Sequence, residues 1–359
     1  MFLEEITFVV GAGASTEYGQ KVFPVGDGLR TRIEEGYNFT GRLNWGTTDS
    51  GDKELFNAIK RRYRVQTEDY QKRLAASLLI KDHLYMFPSI DAFIDHYDHE
   101  DNCVAEMGKA AIAVQIARAE SRCQMAPDPE RSSYSFDIKR LKDSWLEPFA
   151  RILMDNVRDP HEIGKGVSII CFNYDRCIEF YLIEALRRRY RIDYSEARQI
   201  VGKMNIMHPY GTLGPLPDQE LMHDVSHPNF GPDVDDRFDV WSLVPNIKTY
   251  TERVEEGEAL SRIHTAMADC RHLVFLGFGF TTENMKLLTT AQVAPEPHTK
   301  ELMLTTGVGI PSESGVALRD KVAGLFASPK GTQWQDSTRI QINMGCAGLL
   351  NSYYLRLQR

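Results

Sequence analysis

Six short apolar runs punctuate the chain: Ile6–Val10, Val167–Phe172, Met204–Met207, Leu273–Leu276, Leu302–Thr305 and Ile340–Ile342. Each is rich in branched or aromatic residues and nearly continuous in its apolar character. That is the pattern of a strand covered on both faces. Longer stretches with helical spacing separate the runs, which predicts an α/β fold with a Rossmann-like, mostly parallel sheet. The gap after the first run is unlike the others. Its segments Glu54–Arg64, Tyr70–Asp82 and Asn102–Arg122 read as helices. In the last of these, Val104, Met107, Ala111, Val114 and Ala117 recur every three or four residues. Pro88-Ser89 marks a break, with Ser89 placed to cap a helix beginning at Ile90. The expected organisation is a discontinuous Rossmann-like core, residues 1–30 and 165–359. A helical insertion subdomain at 31–164 follows the first βα unit, and Pro127–Tyr134 is expected to be an exposed loop.

Several of the runs end in residues with chemical potential. The first passes into Gly11-Ala12-Gly13-Ala14-Ser15. Glycines there allow a tight turn and close approach of a pyrophosphate, and the following helix offers free amides to an anion. Thr16 stands where the dinucleotide-binding pattern Gly-x-Gly-x-x-Gly has its third glycine, so a purely structural strand–helix turn remains open. Phe23-Pro24-Val25-Gly26-Asp27-Gly28 is an ordered loop by composition, either folded over a cofactor or on the surface. The second run ends in Asn173-Tyr174-Asp175. Ligands bind at the carboxyl ends of strands in open α/β sheets, which favours a site role, whereas Asp175 also suits a helix cap over Arg176–Leu186. The third run ends at His208, a side chain that titrates near neutrality and can accept a proton. The fourth runs into Gly277-Phe278-Gly279, with Asn284 close behind. Two glycine turns on parallel strands are placed to line one crevice.

Composition narrows the class. A chain of 359 residues suits one large α/β domain with an insertion, or two smaller domains. The 42 basic and 50 acidic residues give a net charge of −8, which argues against binding nucleic acid over the whole surface and leaves a local patch open. The short apolar stretch Ile6–Val10 follows Glu4 and Glu5, not basic residues, and no run approaches the ~20 apolar residues of a membrane span. A cytoplasmic location without membrane contact is therefore expected. The six cysteines include no Cys-x-x-Cys pair, so free, mostly buried thiols are expected, and no metal site. His96 and His99 among Asp95, Asp98 and Glu100 read as a solvated charged face, with two helical metal ligands as the competing use; His223 and His227 lie in a polar segment with Asp224, where metal binding is again the lesser alternative. Arg187, Arg188, Arg189 and Arg191 fit the C-terminus of a helix, as do Lys60, Arg61, Arg62 and Arg64. Contact with an acidic partner is the competing use of both clusters.

Taken in order, the five segments resemble the sirtuin superfamily, in its bacterial sirtuin-like NADase branch. The likeness rests on Gly11–Ser15, Asn173-Tyr174-Asp175, His208-Pro209-Tyr210-Gly211 and Gly277–Gly279, with Ser89-Ile90-Asp91-Ala92-Phe93 similar to the helical part. It covers residues 1–30 and about 165–290, and hardly reaches the last 60. The resemblance implies an NAD⁺ glycohydrolase that releases nicotinamide and ADP-ribose. In it Gly11, Ala12, Gly13 and Ser15 would hold the pyrophosphate and Pro24 would lie over the cofactor. Asn173 and Asp175 would orient the nicotinamide ribose, and His208 would act as base. Gly277, Gly279 and Asn284 would contact the adenosine half. Protein-deacylating relatives carry a four-cysteine zinc module after the Asn-x-Asp strand; here that interval holds only Cys177 and Cys270. No zinc is implied, and hydrolysis or cyclisation of NAD⁺ is favoured over deacylation. A non-catalytic NAD- or ADP-ribose-binding subunit is the reading from another class. Members of the branch act in antiphage defence as homo-oligomers, with or without a HerA-like ATPase or a short Argonaute.

Overall fold

The computed structural model describes residues 5–19, 22–97, 103–127, 136–218, 228–250, 252, 257–289, 301–308, 312–325, 338–341 and 343–358. Most of the expected loop at 127–134, with Asp98, His99, Glu100, Asn102, His223, Asp224, His227 and Ile342, lies outside them.

All six expected strands form: β1 Ile6–Val10, β2 Val167–Cys171, β3 Asn205–Met207, β4 His272–Leu276, β5 Leu302–Thr306 and β6 Thr338–Gln341. Every residue of β1, β4 and β5 is buried, as a central parallel strand requires. The six pair in parallel in the order β3-β2-β1-β4-β5-β6. The chain thus winds outward from β1 through β2 to β3, then outward again on the other side from β4 to β6. That is the doubly wound order, whose direction reverses between β1 and β4. Val10 is level with Cys171 on one side and Leu276 on the other, so both glycine turns leave the sheet at the same height.

The helices are α1 Ala12–Gly19, α2 Asp27–Gly36, α3 Lys53–Arg62, α4 Glu68–His83, α5 Ile90–Tyr97, α6 Val104–Arg122, α7 Leu146–Met154, α8 Cys177–Tyr190, α9 Tyr194–Lys203, α10 Gly257–Asp269, α11 Thr282–Leu288, α12 Gly315–Ala323, α13 Cys346–Ser352 and α14 Tyr354–Leu357. Capping side chains set several starts. Asp52 accepts from the Leu55 amide at 3.0 Å, and Ser89 from that of Ala92 at 3.1 Å. Alternate residues of the strands face two helical layers. Val9, Ile170, Met207, Phe275 and Met303 pack with α2–α6 and α10–α12. Phe8, Val10, Ile169, Cys171 and Leu304 pack with α1, α7, α8, α9 and α13. Residues 31–164 therefore divide between the layers, because α7 lies across the sheet from α2–α6.

Helix α6 shows a burial that its periodicity does not announce. The spacing of its apolar residues predicts one buried stripe, yet Lys109, Gln115 and Glu120 are buried too. Its small side chains let α2, α4 and α5 pack around it. The charges it buries are paired: Lys109 Nζ reaches Glu252 at 2.6 Å and Glu120 meets Arg176 at 2.6 Å. The last 60 residues complete the second half of the sheet. Glu17 of α1 holds them, accepting from the amides of Cys346 and Ala347 and from that of Trp145.

None of the six cysteines is joined in a disulfide, and only Cys103 is not buried. Arg187 and Arg188 pair with Glu184, and Arg189 with Asp155, at the end of α8. The cluster is thus used within the fold, where cations suit a helix terminus. Among the described residues no helix is long and apolar enough to cross a membrane.

Candidate functional site

The two glycine turns meet at the reversal point. The Gly13 amide donates to the Gly277 carbonyl at 2.9 Å, and that of Gly11 to Leu276. A methyl on Gly11 or Gly13 would lie 2.7–2.8 Å from the Gly277 oxygen. Gly277 has φ +55°, and a Cβ there would fall 2.0 Å from the Ala14 nitrogen. Backbone packing against backbone is what these three glycines serve. The expectation that Gly11 and Gly13 together cradle a pyrophosphate is corrected to that extent: the Gly13 amide is already committed.

Two cavities flank the paired turns and share Ala12, Gly26 and Gly279 as walls. The smaller, about 220 Å³, lies between the end of β2, the loop of Phe23 and Pro24, and the start of α5. It brings together Gly11, Ala12, Ser15, Pro24, Asn173, Asp175, Gly279 and Asn284. Pro24, for which a surface loop was the alternative, is thus a buried wall. The larger, about 1090 Å³, is bounded by Gly13, Gly277, Phe280, Thr306, Leu318 and Lys321. Ligand sites run from ~300 to ~1,000 Å³, so the smaller cavity is below that range and the larger lies at its upper end.

Below the smaller cavity lies a closed polar network. Ser15 Oγ donates to Asp175 Oδ2 at 3.0 Å and contacts Tyr18 Oη at 2.8 Å. It accepts from Asn173 Nδ2 at 2.8 Å. Asp175 Oδ1 accepts from the Cys177 amide at 3.1 Å, but Arg176 is the N-cap of α8 and has no side-chain cap, so Asp175 stands one residue before the cap position expected of it. Burial pushes the Asp175 carboxyl up, against the hydrogen bonds that favour its charge. Ser15 is 1% exposed and satisfied internally, so its expected part in holding a pyrophosphate is corrected to bracing Asn173. With its amino group held by Ser15, Asn173 leaves Oδ1 buried without a hydrogen-bond partner among the described residues.

His208 is absent from this cavity. Met207 pairs with Ile170 and faces the α2–α6 layer. One residue on, His208 turns to the opposite face, as strand alternation demands. There Nε2 bonds Glu179 Oε1 at 2.8 Å and Nδ1 lies 3.0 Å from the Asn173 carbonyl oxygen. The ring lines a separate cavity of about 740 Å³ beside Arg198 and Lys248. Burial is the largest influence and opposes its charge, but the Glu179 carboxylate and the Cys171 sulfur together outweigh it and hold the imidazole well above its usual value. Burial likewise pushes Glu179 up, and the imidazolium and further hydrogen bonds more than reverse it. The expected base is therefore a structural cation whose two nitrogens are engaged. Its raised pKa contributes stability that is complete below pH ~6.5 and fades as pH rises through the folded value. His208→Gln is expected to cost about 2–3 kcal/mol in denaturant unfolding at pH 6, under the ~3–5 of a fully buried pair because Glu179 is 22% exposed. A loss below 0.5 kcal/mol would contradict this role.

The place expected for the histidine is taken by Tyr210, whose hydroxyl donates to Asn284 Oδ1 at 2.9 Å. Asn284 in turn donates to the Gly279 carbonyl at 3.2 Å. This puts Asn284 on the smaller cavity, beside Asn173. Asp91, Arg30 and Glu283 complete the ionisable lining. Sequence reasoning quoted Asp91 within a helix start but gave it no role. Lys321 and Thr306, from the segment beyond the resemblance, were not found at all. Among the described residues no three His, Cys, Asp or Glu side chains gather to hold a metal ion. Comparison with known proteins identifies no relative: no family model matches the chain, and no curated protein matches it.

Proposed function

We propose that the chain binds NAD⁺ across the paired glycine turns and hydrolyses its nicotinamide–ribose bond. The observation that carries the reading is Asn173, which lines the smaller cavity and whose buried Oδ1 has no donor among the described residues. An unmet buried polar atom costs ~1–3 kcal/mol, which a water or ribose hydroxyl would offset. The adenosine half then falls to the larger cavity, between Gly277–Phe280 and Lys321. The chemistry asks little of the protein. The C1′–N bond breaks with its electron pair moving to the pyridinium nitrogen, so nicotinamide leaves neutral and no general acid is needed. The site must position water and tolerate an oxocarbenium-like ribose. The resemblance to the sirtuin-like NADases supplies the choice of NAD⁺, and with it depletion of NAD⁺ in antiphage defence by a homo-oligomer.

A non-catalytic NAD- or ADP-ribose-binding role is the second reading, and the distance of His208 from the cavity favours it. Chromatography of NAD⁺ incubated with the purified chain separates the two. Nicotinamide and ADP-ribose should accumulate, and Asn173→Ala should slow them by ~10²–10³-fold, as for loss of one positioned polar group. Binding without product would leave only the second reading, and no binding by calorimetry would end both.

A further inference from the structure

We propose that Asp91 is the proton acceptor of this cavity, taking a proton from the water that attacks the ribose beside Asn173. The inference rests on the NAD⁺-hydrolase reading and replaces the base that His208 cannot be.

Elimination within the cavity leads to it. No histidine is among the described residues that line the space. Arg30 is a cation, with Nη1 donating to the Phe87 carbonyl and Nη2 3.1 Å from Asp27. Tyr174 and Tyr210 are pushed up by burial and stay protonated. Asp175 is held by Ser15 and the Cys177 amide on the network side. Glu283, in the first turn of α11, also lines the space, but no hydrogen bond from the described residues orients its carboxyl.

Asp91 differs from all of these. It opens α5, where a carboxylate faces the positive end of the helix. One oxygen accepts from Tyr174 Oη at 2.5 Å, which orients the carboxyl from the residue next to Asn173. Its side chain is only partly covered and forms part of the cavity wall. Burial is the main influence on its acidity and pushes it up to about 6; the Tyr174 hydroxyl opposes this, and Glu283 adds to it. A base of that strength is deprotonated at neutral pH yet strong enough to accept a proton in the transition state. Asp95, further along α5, acts on Tyr210.

The step balances. Water forms the C1′–O bond and gives a proton to Asp91, the C1′–N bond breaks toward nicotinamide, and the proton leaves to solvent on turnover.

The test is the pH dependence of kcat for NAD⁺ in the full chain and two variants, with NAD⁺ binding by calorimetry. Wild type should lose kcat below pH about 6. Asp91→Asn should lower kcat at pH 7.5 by ~10²–10⁴-fold with Kd within about threefold. It should also raise the thermal midpoint at that pH, since a carboxylate with a raised pKa costs stability above its unfolded value. A merely structural carboxylate would give a lower midpoint. Tyr174→Phe removes the bond that favours the charged form, so the acidic limb should move up by about one unit. Turnover by wild type with Asp91→Asn retaining a third of kcat, or Tyr174→Phe leaving the limb in place, overturns the assignment alone. No turnover by wild type overturns the hydrolase reading and this inference with it.

Discussion

Gly277→Ala is expected to destabilise the fold by about 4–5 kcal/mol, whereas Gly279→Ala, two residues on in the same turn, should change stability by less than about 1 kcal/mol. The positive φ of Gly277 accounts for ~1–2 kcal/mol of the first figure. The remainder comes from contact with main chain, since the added carbon would lie 2.0 Å from the Ala14 nitrogen and 2.4 Å from the Gly13 carbonyl carbon. Neither atom can move without breaking the Gly13–Gly277 hydrogen bond and the start of α1. A methyl at Gly279 meets nothing within 4 Å. Chemical denaturation followed by circular dichroism measures both. Equal losses in the two variants would show that the turns do not pack as described. Because the paired turns separate the two cavities, the Gly277 variant should also lose dinucleotide binding beyond what its unfolded fraction explains.

Arg176→Met is expected to cost about 3–5 kcal/mol, the penalty for stranding a buried charge. Arg176 is 1% exposed and Glu120 is fully buried. Glu120 accepts from Arg176 Nε, Nη2 and the Arg176 amide, and from the Gly231 amide at 3.2 Å. Arg176 also donates to the carbonyls of Pro228 and Asn229. The pair ties α6 and the 228–231 segment to the residue that follows Asp175. Replacing both ends, Arg176→Met with Glu120→Leu, should recover much of the loss, because an apolar pair of similar volume needs no counter-charge. A double-mutant cycle on unfolding midpoints reads the coupling. Losses that simply add would mean that the two side chains do not depend on one another. Since Asn173 sits three residues before Arg176, the single variant should loosen the site as well as the fold.

The strands were legible because burial on both faces writes a continuous apolar run, and five of the six runs lie within a residue of the element that forms. The cap at Ser89 was legible for a similar reason, since it acts on an amide three residues on. Register was not. Nothing in Met207-His208 says which strand residue it faces, and one position decides whether His208 points at the cavity or at Glu179. Long-range charge pairing was equally hidden: Glu120 and Arg176 lie 56 residues apart, and nothing in either segment links them. The glycine turns stood out in the sequence, but their reason did not. The spacing suggested a phosphate, while the packing of Gly13 on Gly277 accounts for the glycines through backbone contact. Asp91 was visible only as one acid of a helix start, because its surroundings depend on Tyr174 and the other segments that wall the cavity.

The central claim is that one dinucleotide spans the reversal point of the sheet with its nicotinamide end against Asn173. A crystal structure of the full chain soaked with NAD⁺ measures this directly. It should place a ribose hydroxyl or an ordered water within hydrogen-bond reach of Asn173 Oδ1, and the adenine beside Phe280 and Lys321. Density for NAD⁺ in the cavity of His208 and Arg198, or an adenine lying against Asn173, would contradict it.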